Sequence, residues 1–280
     1  MTCIGAALAA AREQLPAGEV RSLLAYVLQR TPAWLIAHDD FVLDESRLCS
    51  FFALIAQRVA GEPIAYLLKS REFYGRDFEV SPAVLIPRPE TELLVDLAKA
   101  KVGAGGTARI LDLGTGSGCI AITLALECPH ASITAVDNSR AALDIARRNA
   151  DRLGARVTWC QSDWFEQLAE QSFDLIVSNP PYIAAGDPHL AQGDLRHEPA
   201  AALASGVDGL MAIRQIIAAA HSYLVEGGSL WIEHGYDQPE QIARLLQGHG
   251  YRSIEQHRDL AGIVRVSGAL NASPDPAKRS

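Results

Sequence analysis

The chain has 280 residues, 49% of them hydrophobic, and 25 Lys and Arg against 33 Asp and Glu leave a formal charge of −8. That is ample apolar material for one large packed domain or two unequal ones, and the acidic balance disfavours a protein that grips a phosphate backbone, whose surface is ordinarily basic. The five cysteines (3, 49, 119, 128 and 160) form no C-x-x-C pair or metal-ligand spacing, and no apolar run reaches the ~18 residues that span a bilayer, so a cytoplasmic protein with reduced thiols, no metal and no membrane contact is expected.

Residues 1–60 read as helical throughout. The stretch from Cys3 to Ala11 is apolar and alanine-rich, with no basic residue before it and Arg12-Glu13 directly after, which is the pattern of a helix and not of a signal peptide. Leu23, Leu24, Val27 and Leu28 recur at helical spacing, Thr31-Pro32 reads as an N-cap with proline at the first helical position, and Leu48, Phe51, Phe52, Ile55 and Val59 form another apolar face. Such stripes are what a small helical core requires, and they assign no function by themselves. Residues Glu72 to Val80 then read as a hairpin with its turn near Gly75 and Arg76.

From Pro89 onward strands and helices alternate. The pattern predicts helices at 90–101, 118–127, 139–153, 208–224 and 238–247. Strands are predicted at 108–113, 132–136, 156–160, 173–178, 229–234, 251–257 and 263–268, with Glu226-Gly227-Gly228 as a turn. This is a doubly wound α/β sheet of seven strands, whose ligands gather at strand carboxyl ends. The expected organisation is a helical domain at 1–70, a hairpin linker at 71–88, a catalytic domain at 89–270 and a polar, disordered tail at 271–280.

Two motifs carry the chemistry. The apolar run Ile110-Leu111-Asp112-Leu113 enters a glycine turn, Gly114-Thr115-Gly116-Ser117-Gly118, which opens the next helix. A strand later stands Asp137, where a carboxylate accepts hydrogen bonds from the two hydroxyls of a ribose. This pairing marks a nucleoside site. It suits a dinucleotide as well as S-adenosylmethionine, but the glycine spacing departs from the dinucleotide fingerprint. The second motif is Asn179-Pro180-Pro181-Tyr182, directly after the apolar run 173–178. Alone, an Asn-Pro-Pro string is more often a loop turn. Here the prolines end the strand and hold Asn179 extended at its tip. The Asn179 side chain and the Pro180 carbonyl then offer two acceptors to a planar –NH2 group, and Tyr182 offers it a flat face. This has no role in hydride transfer and suits methylation of a conjugated nitrogen.

With these motifs, Leu85-Ile86-Pro87-Arg88-Pro89-Glu90-Thr91-Glu92, Asp163-Trp164, Glu198-Pro199 and Asp208-Gly209-Leu210 make the chain resemble the HemK/PrmC family of class I S-adenosylmethionine-dependent methyltransferases. The resemblance runs from the first helix to Gly268. It implies a Rossmann-like sheet closed at its edge by a reversed hairpin, and S-adenosylmethionine as cofactor. The implied reaction is methylation of the glutamine side-chain amide in the Gly-Gly-Gln loop of peptide chain release factors. Asn179, Pro180 and Tyr182 would be catalytic, with Pro181 joining them in holding the substrate. Gly114, Thr115, Gly116, Ser117, Gly118, Asp137, Trp164 and Asn179 would hold the cofactor, with the Trp164 indole beside the adenine. The helical domain would recognise the protein partner, no nucleic acid would be bound directly, and a monomer is expected. The stretch 88–92 would border the cofactor pocket, although a helix start alone accounts for Glu90 and Glu92. His197-Glu198 and Glu233-His234 read as structural. The sequence departs from the family at Lys69, where a glycine is usual, and at Ile263-Val264-Arg265, where Asn-Asp-Arg is usual. The rival readings are a DNA or RNA adenine N6-methyltransferase and a catalytically silent binding module.

Overall fold

The computed structural model describes residues 2–103, 105–168 and 171–271. The chain divides into two compact units, Met1–Arg71 and Glu72–Ser280. The first holds β1 (Thr2–Cys3), α1 (Ile4–Ala11), α2 (Ala17–Leu28), α3 (Pro32–Ala37), β2 (Val42–Leu43), α4 (Glu45–Val59) and α5 (Ile64–Leu68). Its core gathers Ile4, Leu8, Leu23, Leu24, Leu35, Phe51 and Ile55. Thr31 caps α3 by accepting from the Trp34 N–H at 3.2 Å.

This unit is not helical throughout: β1 and β2 pair antiparallel, Thr2 opposite Leu43. The reason is the start of α1, which has no side-chain cap. Its leading N–H groups, without partners inside the helix, donate instead to the returning chain, Ile4 to Phe41 O and Gly5 to Asp39 O at 3.0 and 2.8 Å. Lys69 ends α5 in the left-handed region, φ +54°, with its N–H bonded to the Ala65 and Tyr66 carbonyls. The turn that glycine would favour therefore forms with lysine in place.

The strands β3 (Ser70–Phe73) and β4 (Arg76–Glu79) make the predicted hairpin. Its turn is Tyr74-Gly75, one residue earlier than expected, with φ of +54° and +71°. Positive φ at both positions matches the twist of a two-residue hairpin, and Tyr74 is held there by its N–H to Glu92 Oε1 at 2.8 Å and its hydroxyl to Asp96 Oδ1 at 2.7 Å.

After a single 3-10 turn at Pro89–Thr91, the second unit continues through α6 (Glu92–Val102), β5 (Arg109–Leu113), α7 (Cys119–Glu127), β6 (Ser132–Asp137), α8 (Arg140–Leu153), β7 (Thr158–Gln161) and β8 (Phe173–Ser178). It ends with α9 (Ala200–Leu203), α10 (Met211–Ala220), β9 (Leu224–Glu233), α11 (Pro239–Gly248), β10 (Arg252–Arg258) and β11 (Val264–Leu270). The seven-stranded sheet runs β10-β11-β9-β8-β5-β6-β7. Strands β9 to β7 are parallel, and β11 is antiparallel to both β9 and β10, giving the reversed edge hairpin. Leu175, Ile176 and Val177 of β8 are fully buried, as expected for a central parallel strand covered on both faces. Among the described residues no helix is long and apolar enough to cross a membrane.

Three expectations need correction. The helix placed at 208–224 occupies only Met211–Ala220: Gly209 has φ +76°, and a Cβ there would lie 2.3 Å from Tyr182 O, so 208–210 is a turn that hugs the chain after β8. The turn placed at 226–228 lies inside β9, which pairs Phe173 with Leu224 and Leu175 with Ser229 and so carries extra residues as a register shift. Asn271, assigned to the tail, is buried; its Nδ2 donates to the Leu224 carbonyl at 2.9 Å and its N–H to Gly228 O at 2.7 Å. The rest of that tail, 272–280, lies outside the described residues.

Candidate active site

From β5 the chain winds through β6 to β7 on one side, then crosses to β8 and β9 on the other. Such a reversal opens a crevice at the carboxyl ends of the strands. The glycine turn follows β5, Asp137 ends β6, Asp163 and Trp164 follow β7, and Asn179 follows β8. These ends are tied together. The Gly114 and Thr115 N–H groups both donate to Val136 O at 2.9 Å, and Ser178 Oγ donates to Leu113 O at 2.8 Å.

A cavity of about 200 Å³ occupies the crevice. Its wall includes Gly114, Thr115, Gly116, Ser117, Asp137, Trp164, Asn179 and Pro181 of the predicted set, and Arg88 and Thr91 of the stretch before α6. Glu90, Glu92, Gly118, Pro180 and Tyr182 are not among its lining residues. Gly118 serves packing: it has φ +82°, and a Cβ there would approach Ile122 Cδ1 to 2.8 Å and Ala146 Cβ to 3.1 Å, so α7 and α8 meet across it. At Gly116, by contrast, a Cβ would meet nothing within 4 Å, so this part of the turn is open.

Asp137 builds the turn as well as facing the cavity. Its Oδ2 accepts the Gly116 N–H and its Oδ1 the Ser139 N–H, each at 2.9 Å. Burial holds its pKa above the ordinary carboxylate value against the pull of these two donors. Each oxygen retains a lone pair for a further donor. Trp164 adopts φ +46° and donates its Nε1–H to Gln215 Oε1 at 3.1 Å. A Cβ at position 114 would lie 3.5 Å from its ring edge, an ordinary van der Waals contact, so glycine is favoured there by its φ of +73° and not by the indole.

Asn179 has its amide oriented by Thr91: Nδ2 donates to Thr91 Oγ1 at 3.1 Å. The Tyr182 hydroxyl points away from the cavity wall toward Glu233, 3.5 Å from Oε1, and burial raises its pKa.

Several polar residues around the site carried little or no signal in the sequence. Asp112 is fully buried, accepts from the Thr115 hydroxyl at 2.6 Å, and is pushed by burial up to about 7. Asn149 on α8 bridges the hairpin to the glycine turn, donating from Nδ2 to Glu79 O at 3.0 Å and Ser117 O at 2.9 Å while Oδ1 accepts the Glu79 N–H at 2.7 Å. A polar residue on the otherwise apolar face of Ala142, Ile145, Ala146 and Ala150 is the signal that could have found it. Glu198 is buried, pairs with Arg88 and accepts the Ile86 N–H at 3.0 Å, tying two segments that line the cavity. The structural reading of His234 holds. Its Nδ1 lies 2.9 Å from Gly235 O and its Nε2 2.8 Å from Ser267 Oγ, so the neutral ring donates from Nδ1 and accepts at Nε2, and burial lowers its pKa.

The arrangement fits a nucleoside with a charged tail. It offers an open glycine turn at a helix start, a carboxylate with acceptor capacity to spare, an indole wall, and a fixed amide whose Oδ1 no hydrogen bond among the described residues uses.

The Methyltransferase small domain family matches residues 89–249, and the PrmC N-terminal domain family matches residues 2–68. The chain is 52% identical to the release factor glutamine methyltransferase of Bordetella pertussis over 255 residues, 91% of this chain and 94% of that protein. It is 48% identical to the release factor glutamine methyltransferase of Xylella fastidiosa (strain 9a5c) over 263 residues, 94% and 96% of the two chains. The crystal structure of a methyltransferase from Pyrococcus furiosus shares the fold, with a TM-score of 0.55 at 20% identity over 78% of this chain and 98% of that one.

Proposed function

The chain belongs to the release factor glutamine methyltransferase family, S-adenosylmethionine-dependent enzymes, and we propose that it methylates the side-chain amide nitrogen of the glutamine in the Gly-Gly-Gln loop of peptide chain release factors. The observation that carries this reading is Asn179. Its Nδ2 is engaged by Thr91, which leaves Oδ1 as an acceptor on the wall of a cavity shared with the glycine turn and Asp137.

An amide nitrogen is a poor nucleophile because its lone pair is delocalised into the carbonyl. The enzyme must hold that nitrogen in line with the bond to be broken and favour the charge it develops. When bound, S-adenosylmethionine supplies an electrophilic methyl group on a sulfonium. Asp137 would hold its ribose, Trp164 would flank its adenine, and Gly114, Thr115, Gly116 and Ser117 would cradle it, with Gly118 shaping the turn by packing. Asn179 Oδ1 and the Pro180 carbonyl accept the two N–H groups of the substrate amide and turn its lone pair toward the methyl. Both bonds strengthen as the nitrogen becomes more acidic, so they favour the transition state over the ground state. Pro181 and Tyr182 shape the slot, and the proton leaves to water after transfer. No side chain is required as a general base.

The helical domain, 1–70, recognises the protein partner. The hairpin, 71–88, links it to the methyltransferase domain, 89–270. The enzyme works as a cytoplasmic monomer and does not bind nucleic acid directly.

Incubation with labelled S-adenosylmethionine, separately with purified release factor and with DNA, tests the reading. Label on the release factor supports it. Label on DNA alone, or none on either, overturns it.

A further inference from the structure

The segment 179–182 is poor in backbone donors, because Pro180 and Pro181 carry no N–H. Its carbonyls and side chains must hold it instead. Thr91 pins the Asn179 amide at one end. At the other end the Tyr182 carbonyl accepts from Gln238 Nε2 at 2.9 Å, while Gln238 Oε1 accepts the Gly235 N–H, also at 2.9 Å. A carbonyl can only accept and a backbone N–H only donate, so these two partners fix which way round the Gln238 amide lies. Gln238 stands at the N-cap of α11, but its side chain does not cap that helix; it is 5% exposed and turned to the bridge.

The base of this bridge is anchored. The His234 N–H donates to Arg265 O at 2.9 Å, the His234 ring spans Gly235 O and Ser267 Oγ, and the Pro239 carbonyl accepts from Gln256 Nε2 at 2.7 Å. The turn at Gly209 closes over it: a Cβ there would lie 2.3 Å from Tyr182 O and 2.9 Å from Gln238 Nε2. Neither Gln238 nor Tyr182 lines the cavity.

We propose that Gln238 is a positioning residue for the methyl-accepting slot: by holding the Tyr182 carbonyl it fixes the far end of segment 179–182, so that Asn179 Oδ1 and the Pro180 carbonyl, which lie between the two pins, face one substrate amide together. The inference rests on the glutamine reading above. Two acceptors serve a single –NH2 group only if their separation and direction are held, and misplacing a reacting group by about 1 Å costs on the order of 10²-fold. Without the Gln238 donor, the Tyr182 carbonyl under Gly209 is an unpaired acceptor, and the peptide turns to find a partner. That movement shifts the Pro180 carbonyl and leaves the glycine turn and Asp137 where they are.

Gln238→Glu tests the bridge at one atom. An ionised carboxylate keeps the Gly235 N–H but sets its other oxygen against the Tyr182 carbonyl; a protonated carboxyl donates to that carbonyl and restores the bridge. Burial raises the pKa of such a carboxyl toward the working pH range. The charged and titratable groups on the elements around it are His234 and Asp237 on the same loop, Glu233 at the end of β9, Tyr182, Asp208 paired with Arg214 beside the Gly209 turn, and Arg265 on β11. These titrate in the parent too, so the variant is read as a ratio to the parent at each pH.

The test uses the full-length protein, purified release factor and labelled S-adenosylmethionine, with kcat expressed per calorimetric S-adenosylmethionine site so that misfolded protein does not count. Gln238→Met keeps the length and loses both bonds. It is expected to lower kcat by ~10- to 100-fold, by a factor that does not change with pH, with S-adenosylmethionine affinity unchanged. Gln238→Glu is expected to lose as much at alkaline pH and to recover toward the parent as the pH is lowered. A merely structural role predicts neither pattern, since kcat per site would stay at the parent value. Q238M at the parent kcat per site, or a Q238E ratio that does not move with pH, would overturn the assignment. Loss of S-adenosylmethionine binding in Q238M would overturn it too, because Gln238 would then serve the fold at large. If Q238E does not fold, Q238M alone decides. A parent enzyme that leaves release factor unlabelled removes the glutamine reading and this inference together, whereas an active parent with an unaffected Q238M removes the inference alone.

Discussion

Asp137→Asn perturbs the proposed cofactor site at constant shape. In the parent the two carboxylate oxygens accept the Gly116 and Ser139 N–H groups, each at 2.9 Å. The variant replaces one oxygen by –NH2, so one of these backbone donors faces another donor, and the ribose loses a charged acceptor. If the –NH2 meets Gly116, the open part of the glycine turn loses its tether. If it meets Ser139, the start of α8 is disturbed, where Ser139 Oγ caps the Ala142 N–H at 3.2 Å. A hydrogen bond to a charged group contributes about 1.5–3 kcal/mol. Losing one such bond, and the charge from those that remain, is expected to cost about 2–4 kcal/mol of binding, or roughly 30- to 1,000-fold in Kd at 1.4 kcal/mol per tenfold. Asp137→Ala removes both tethers and both ribose acceptors and should lie at or beyond the upper end. Titration calorimetry with S-adenosylmethionine, repeated with its demethylated product, reads the effect; the two should weaken together because the ribose is common to both. An unchanged Kd in both variants would refute the assignment of Asp137.

Gly118→Ala should destabilise the second unit by about 2–5 kcal/mol in urea unfolding, since alanine at φ +82° is strained by about 1–2 kcal/mol and its methyl overpacks the Ile122–Ala146 contact by about 1–3 kcal/mol. Asp112→Asn should stabilise the protein more at pH 8 than at pH 5. The folded-state pKa of Asp112 is raised from 3.8 to about 7, so the parent holds an extra proton when folded and loses stability as pH rises toward 7. At 1.36 kcal/mol per pK unit the gain from Asn should grow by about 3 kcal/mol between those two pH values, measurable by denaturant unfolding at each. Arg88→Ala should cost about 2 kcal/mol in the same assay, because it leaves the buried Glu198 carboxylate with the Ile86 N–H but without its cation.

Much of this architecture was legible in the sequence. Strand β8 stands at the predicted residues 173–178, because an apolar run stopped by two prolines has few other solutions. The glycine turn, Asp137 and Asn179 meet at strand tips because doubly wound topology leaves them no other place. What escaped was the polar scaffolding between distant segments. Glu198 and Ile86 are 112 residues apart and Asn149 and Glu79 are 70 apart, so neither pairing leaves a local pattern. Glu233 read as structural because an acid at a strand end is unremarkable until the Tyr182 hydroxyl is seen 3.5 Å from its Oε1. Elements also misread where a long-range contact decides the local conformation. Gly209 bends against the Tyr182 carbonyl, and β9 takes in the two glycines that locally signal a turn. At Lys69 and Ile263 the departures from the family leave the turns standing. Asp259 supplies the second by accepting the Ala261 and Ile263 N–H groups, each at 2.9 Å.

The central claim is that Asn179 acts on the transition state of methyl transfer to a glutamine amide. Single-turnover kinetics of Asn179→Ala on intact release factor, with the enzyme saturated by S-adenosylmethionine, test it most directly. The expected result is a loss in rate on the order of 10²–10³, the effect of removing one preorganised polar partner, with calorimetric affinity for S-adenosylmethionine retained. An Asn179→Ala enzyme that methylates release factor at the parent rate would contradict the account.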